Sequence, residues 1–192
     1  PCLLELLDRK LARIYIVLEQ IENGVNTVRA SSLGCVFDAV AAVLGLCTYN
    51  HFDAQLPMAL ESVADSHVDT CYSFDLIERE GEPVKIDLRA TIRQIVEEAR
   101  QSADTGSVSA RFHNTLVEAL LTVAQAARRK TDLNVVAFSG GVFCNRYLAD
   151  RLIHRFKKAG FGVLCNRDVP ANDGGIALGQ AAIAARILDE SL

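Results

Sequence analysis

The last sixty residues leave this chain few choices of fold. Asn134-Val135-Val136-Ala137-Phe138 is a short apolar run that stops at Ser139-Gly140-Gly141, and residues 143–158 then repeat at helical spacing. After Gly160 come a second apolar run over 161–165, a loop over 166–172, and Asn172-Asp173-Gly174-Gly175 opening a helix over 174–188. Short apolar runs bounded by glycine read as buried strands. Strand–helix–strand–helix with loops this short implies a parallel sheet with helices packed on it. Both glycine turns must then lie at the carboxyl ends of the strands, the edge where open α/β sheets hold their ligands.

The two turns point to an anion. A helix start stripped of side chains offers unpaired backbone N–H groups and the positive end of the helix dipole. The Asp173 carboxylate beside one of them can also hold the metal that travels with a nucleotide. Each turn has a plainer explanation: Ser139-Gly140-Gly141 as a tight strand-to-helix turn, and Asp173 as a helix cap. Neither is a Walker loop, since no Gly-Lys-Ser/Thr follows, and neither is Gly-x-Gly-x-x-Gly.

Upstream, helices dominate. Apolar residues at 3, 4, 7, 11, 14, 17, 18 and 21 predict a helix over 3–22 with a wide apolar face, ended by Asn23-Gly24. Ser31 or Ser32 caps a second helix over roughly 32–46, so rich in alanine, valine and leucine that burial on nearly all sides is expected. A loop over 47–56, a short helix over 57–66 and a mixed stretch over 67–85 with one or two short strands follow. Helices over 88–102 and 107–129 complete this part. The chain divides into a mainly helical part, 1–130, and a βαβα part, 131–192.

Composition excludes some functions. A net charge of −4 without a basic tract gives no electrostatic footprint for nucleic acid. No apolar run reaches the ~18 residues of a membrane span, and the N-terminus lacks the layout of a signal peptide. The cysteines, at 2, 35, 47, 71, 144 and 165, form no Cys-x-x-Cys pair and several sit in apolar runs. They read as buried reduced thiols of a cytoplasmic protein.

Four other features bear on function. Asp38 is a lone carboxylate among Phe37, Ala39, Val40 and Ala41, so it either points out through a gap or meets a partner or ligand. Gln55 and Glu61 are polar positions near the next helix. His51, His67, His113 and His154 show no metal-type spacing, and His113, beside Phe112 in a helix, reads as structural. Arg128-Arg129-Lys130 reads as a solvated helix end that suits the negative dipole terminus.

Set together, these motifs resemble one family. Phe138-Ser139-Gly140-Gly141-Val142-Phe143-Cys144-Asn145 with Val169-Pro170-Ala171-Asn172-Asp173-Gly174-Gly175-Ile176-Ala177-Leu178-Gly179-Gln180 closely resembles the carbamoyltransferases of hydrogenase maturation, the HypF family. Ser31-Ser32-Leu33-Gly34-Cys35-Val36-Phe37-Asp38-Ala39-Val40-Ala41-Ala42 and Ala110-Arg111-Phe112-His113-Asn114-Thr115 resemble two further segments of it. The likeness spans about residues 29–188.

The resemblance implies a C-terminal subdomain of an actin/hexokinase/Hsp70-like fold, α/β in class, helix-rich with a small, mostly parallel sheet. The fold is shared with the tRNA threonylcarbamoyl-adenosine synthases. It implies an enzyme that makes carbamoyl-adenylate from ATP and carbamoyl phosphate. The carbamoyl group then passes to the C-terminal cysteine of a HypE-type acceptor protein, toward the cyanide ligand of [NiFe]-hydrogenase. By the same resemblance Asp173 is a ligand of a divalent metal (Fe or Zn, with Mg accompanying the nucleotide). Ser139, Gly140, Gly141, Gly174 and Gly175 face phosphate, Asn145 contacts base or ribose, and Asp38 bonds the ribose hydroxyls. No catalytic side chain is assigned.

The chain also departs from the family pattern. Cys35 replaces an arginine, and Phe52-Asp53-Ala54-Gln55 replaces Tyr-Glu-Gly-Gln. Ala54 closes off a backbone approach that glycine would leave open. The family's paired histidines, spaced His-x-x-x-His, are absent from these residues. The expectation is therefore part of a longer enzyme, inactive without its upstream half. The competing readings are a binding or scaffold module that kept the fold without the chemistry, and a small-molecule kinase of the same superfamily.

Overall fold

The computed structural model describes residues 11–47 and 50–190. Two compact units emerge, one of Pro1–Asp75 with Asp87–Arg111, the other of Leu76–Ile86 with Phe112–Leu192. No helix among the described residues is long and apolar enough to cross a membrane.

The first unit is helical. Helix α1, Leu11–Asn23, ends where Gly24 takes φ +66°, so the stop predicted at Asn23-Gly24 is found. The earlier part of the helix expected over 3–22 lies outside the described residues. Much of the apolar face of α1 lies outside the core: Tyr15, Ile16, Val17, Leu18 and Ile21 are all exposed. Helix α2, Leu33–Val43, buries Phe37, Val40 and Ala41. These positions lie three to four residues apart and so share one face. Cys35 and Ala39 face solvent, so α2 has a single buried stripe rather than burial all round.

Helix α3, Gln55–Ser62, starts two residues before Pro57. The Asn50 carboxamide anchors that start, with Oδ1 accepting the Leu56 N–H at 3.0 Å. Its cap is Ala54, held at φ 58°, ψ 20°. Leu56 and Leu60 close over α2. Helix α4, Arg89–Arg100, supplies Ile95 and Thr91, and Thr91 Oγ1 donates to the Ser73 carbonyl at 2.7 Å.

Helix α5, Thr105–Thr131, begins in this unit and continues in the other. Asp104 starts it, its Oδ2 accepting the Ser107 N–H at 2.8 Å. A polar lock closes the unit: Arg111 grips Glu98 through two bonds of 2.7 and 2.6 Å, while the Tyr72 hydroxyl donates to Glu98 at 2.7 Å. Burial first, and that bond second, push the Tyr72 phenol well above its ordinary range.

The second unit holds the parallel sheet that the tail motifs predict, but its strands are mostly exposed rather than buried, because the helix over Arg146–Lys158 covers only part of a sheet two strands wide. The stretch over 67–85, read as one or two short strands, contains β1, Asp75–Ile77, paired with β2, Lys85–Asp87. Strand β3, Val135–Phe138, pairs in parallel with β4, Gly162–Cys165, with Val135 opposite Gly162 and Phe138 opposite Cys165. Helix α6, Arg146–Lys158, makes the crossover and turns Leu148, Leu152 and Phe156 inward. Phe156 packs edge-on against Phe138 at 5.0 Å and at a tilt against Phe161 at 5.5 Å. Arg155 clamps Glu118 of α5 with bonds of 2.7 and 2.8 Å.

Arg128 is more than a solvated end. Its guanidinium lies 4.1 Å from the Phe161 ring centre, and Nη1 donates to the Ala159 carbonyl at the close of α6. Arg129 and Lys130 remain in solvent. Helix α7, Ile176–Glu190, carries Ile176, Leu178, Ile183, Ile187 and Leu188, all exposed.

The thiols correct the expectation of burial. Cys35, Cys71, Cys144 and Cys165 are exposed and Cys47 is half-buried, while Cys2 lies outside the described residues. Apolar neighbours in sequence did not bury them: Cys35 sits on the face of α2 turned from the core, and Cys71 lies in a connecting segment.

Candidate functional site

The glycine turns meet. Gly140 N–H donates to the Ala171 carbonyl at 2.7 Å, tying the end of β3 to the loop before Asp173. Around this bond lies a cavity of about 480 Å³ lined by Ser139, Gly140, Asn166, Pro170, Asp173 and Gly175 among others. The strand register sets this up: Phe138 and Cys165 are paired, so the chain leaves both strands at one edge and both loops fall there.

Each glycine is there for its own reason. Gly140 has φ 113° and ψ 160°, a conformation open almost only to glycine. Gly175 is required by space: a Cβ there would sit 2.7 Å from the Pro170 carbonyl oxygen. Gly174 lies close to Asn172, whose Oδ1 accepts its N–H at 3.1 Å, and the Asn172 carbonyl accepts the Gly175 N–H at 3.0 Å. Gly141 differs. A Cβ there would meet only Asn172 Cβ at 3.9 Å, an ordinary contact, and its φ is not in the left-handed region. The fold does not demand glycine at 141.

This alters which amides can serve an anion. The N–H groups of Gly140, Gly174 and Gly175 are bonded within the loops. The turn of 3-10 helix over Gly141–Cys144 leaves its first N–H groups, those of Gly141 and Val142, without a partner. Asn172, seen in the sequence only as part of a motif, is the residue that organises the second turn.

Asn145 is drawn inward. It is 8% exposed and caps α6, with Oδ1 accepting the Leu148 N–H at 2.8 Å. Its Nδ2 lies 2.9 Å from Nε2 of His113, which is fully buried in α5. The sequence placed His113 as structural, and no local signal links it to a residue thirty-two positions away.

In the other unit, Asp38 is half-buried, and its Oδ1 is sealed from solvent with no hydrogen-bond partner. A buried carboxylate oxygen left this way is costly unless a donor reaches it. Gln55 Oε1 accepts the His51 N–H at 2.7 Å. His51, His67 and His154 are exposed.

For a metal, Asp173 offers one exposed carboxylate at the cavity wall. No group of three His, Cys, Asp or Glu able to hold a metal ion occurs among the described residues. The described residues thus fall short of the set that a firmly bound divalent cation needs.

A helix-rich α/β unit, with a parallel strand pair and a glycine-lined pocket at the carboxyl edge, defines a Kae1-like subdomain. The family described as "Carbamoyltransferase, Kae1-like Domain, second subdomain" matches residues 3–180, and the chain belongs to it.

Named relatives agree. Carbamoyltransferase HypF of Synechocystis sp. is 36% identical over 159 residues, covering 81% of this chain and 20% of the relative. A carbamoyltransferase HypF homolog of Cupriavidus necator is 32% identical over 177 residues, covering 88% of this chain and 44% of the relative. The crystal structure of full-length HypF in the phosphate- and nucleotide-bound form superposes with a TM-score of 0.87 at 39% identity. It is matched over 95% of this chain and 29% of that one. T. kodakarensis HypF gives a TM-score of 0.76 at 27% identity, over 96% of this chain and 24% of that one. The chain thus spans a fifth to less than half of these relatives' lengths.

Proposed function

We infer that this chain is the C-terminal portion of an ATP-dependent carbamoyltransferase. The complete protein forms carbamoyl-adenylate from carbamoyl phosphate and ATP in the cytoplasm. It passes the carbamoyl group to the C-terminal cysteine of a HypE-type acceptor, for the cyanide ligand of [NiFe]-hydrogenase. The observation that carries this reading is the junction of the two glycine turns on one cavity, sealed by the Gly140-to-Ala171 bond.

Within the reading, Ser139 and Gly140 shape the cavity wall, and Gly141 and Val142, next along the chain and beside the lining, present their unpaired N–H groups to phosphate oxygens. Preorganised donors of this kind stabilise charge developing on phosphate without reorganising at the moment of reaction. Asn172, Gly174 and Gly175 keep the opposite wall in place. Asp173 would be one ligand of a divalent cation, with the other donors supplied by the upstream half of the protein. Such a cation, when bound, neutralises phosphate charge.

The test uses the complete protein. Calorimetric titration of ATP with Zn or Fe should show binding that Gly141→Ala weakens. Asp173→Ala should abolish carbamoyl transfer to a peptide ending in cysteine. Undiminished transfer by Asp173→Ala would remove its assigned role, and absence of any nucleotide-dependent rise in melting temperature would favour a scaffold that lost the chemistry.

A further inference from the structure

Leu148 N–H donates to Asn145 Oδ1 at 2.8 Å, and a backbone amide can only donate. That bond fixes which way the Asn145 carboxamide faces: oxygen toward Leu148, nitrogen toward His113. Nδ2 also can only donate, so Nε2 of His113, 2.9 Å away, must accept. The neutral His113 imidazole therefore carries its proton on Nδ1. One helix-start amide sets a side-chain amide, which in turn sets a histidine tautomer two elements away.

The ring cannot easily turn out of this arrangement. His113 is fully buried, edge-on to Phe112 at 5.9 Å and to Tyr147 at 5.0 Å between ring centres. Asn145 in turn closes the turn over Gly141–Cys144, its own N–H bonded to the Val142 carbonyl at 3.2 Å. Phe143 N–H bonds back to the Gly140 carbonyl at 3.0 Å. An unbroken series of contacts runs from His113 through Asn145 and the turn to Gly140, at the cavity wall.

We propose that His113 is a positioning residue: by accepting from Asn145 it holds the turn over 141–144, and with it the Gly141 and Val142 N–H groups, at the place where phosphate is bound. It touches no ligand itself. The inference rests on the reading of that turn as phosphate-facing.

Two variants of the complete protein test it. His113→Gln keeps a carbonyl acceptor for Nδ2, and its KM for ATP should stay within about twofold of wild type. His113→Phe keeps a ring against Phe112 and Tyr147 but offers no acceptor, and a displaced cradle should raise KM for ATP about tenfold, with kcat at saturation little changed. A wild-type KM in His113→Phe would overturn the proposal. So would equal damage in both variants, which is the mark of packing alone.

A second measurement does not depend on His113→Phe folding. With ¹⁵N-labelled histidine, the His113 signature should be that of an Nδ1–H ring. In Asn145→Asp, which keeps the cap but presents only acceptors, the proton should move to Nε2. An Nε2–H ring in the wild type would overturn the proposal. Wild-type protein that binds no ATP would overturn the reading of the site and this inference with it. ATP binding unaffected by His113→Phe would overturn the inference alone.

Discussion

Two glycines that look alike in sequence should answer an alanine substitution in opposite ways. At 175 the new methyl would lie 2.7 Å from the Pro170 carbonyl oxygen and 3.1 Å from Val169 Cγ1. The nearer atom is backbone, so the loop itself has to move. Overpacking of this sort costs about 1–3 kcal/mol, against which a better helix former returns less than about 1 kcal/mol. For a region of this size that lowers the melting temperature by roughly 2–8 °C. The damage also travels, because a shifted Pro170 carries Ala171, whose carbonyl holds Gly140 N–H at 2.7 Å. Gly175→Ala should therefore lose both stability and nucleotide affinity. At 141 the methyl meets Asn172 Cβ at 3.9 Å and nothing closer. The backbone accepts it, so stability should hold or rise by about 0.4–1 kcal/mol through reduced freedom of the unfolded chain. The methyl would nonetheless occupy space beside the unpaired N–H groups, and affinity should fall. Thermal unfolding and calorimetric titration on the same samples separate the two cases. Gly175→Ala melting with the wild type would refute the packing argument. Gly141→Ala binding ATP with unchanged affinity would refute the placing of phosphate at this turn.

Other predictions concern local strain and charge pairs. Ala54, at φ 58°, bears a left-handed conformation, so Ala54→Gly should raise stability by about 1 kcal/mol in denaturant titration, and a loss would show that the strain is absent. Glu98→Ala removes the carboxylate that Arg111 and Tyr72 share, from an ion pair only about a quarter exposed, and should cost about 2 kcal/mol, whereas Glu82→Ala, facing exposed Arg79 and Lys85, should cost less than about 1 kcal/mol. The Arg89 guanidinium, and then the Arg89 N–H, hold the Asp87 carboxyl down to about 2, below its ordinary 3.8. A lowered folded value means that its stabilisation is present above pH 3.8 and is lost as pH falls toward 2. Carbon-detected NMR titration should show the Asp87 midpoint rising in Arg89→Ala, and an unmoved midpoint would refute that cause.

The tail was legible because its signals are local. Gly140, Gly160 and the Gly174-Gly175 pair punctuate runs whose period changes from two to near four, and punctuation of that kind survives any packing. The strands β1 and β2 were harder to read, since three residues cannot display an alternation. Burial of the cysteines was misread for a different reason. The apolar neighbours of Cys35 are apolar because Phe37, Val40 and Ala41 form the inward stripe of α2, and position 35 falls off that stripe. The bond between His113 and Asn145 is tertiary, joining two segments with no shared period, so sequence could offer each residue but not the pair.

The same distinction explains what the second unit can do by itself. Its glycine turns are complete: their conformations are satisfied by bonds inside the unit, from Asn172 to Gly174 and from Gly140 to Ala171. Its metal chemistry is not, since no group of three His, Cys, Asp or Glu able to hold a metal ion stands with Asp173 among the described residues. A cradle of neutral N–H groups can hold phosphate weakly without help, but it cannot gather the charge of a triphosphate and steer an acyl transfer at the same time. On the proposed reading, the amide donors of this unit would serve phosphate, and the cation ligands beyond Asp173 would come from the rest of the protein. On this reasoning, inorganic phosphate should bind the isolated unit in a way sensitive to Gly141→Ala and indifferent to Asp173→Ala, while ATP turnover should require both residues and the remainder of the protein. Sensitivity of simple phosphate binding to Asp173→Ala would show instead that the carboxylate shapes the cradle directly.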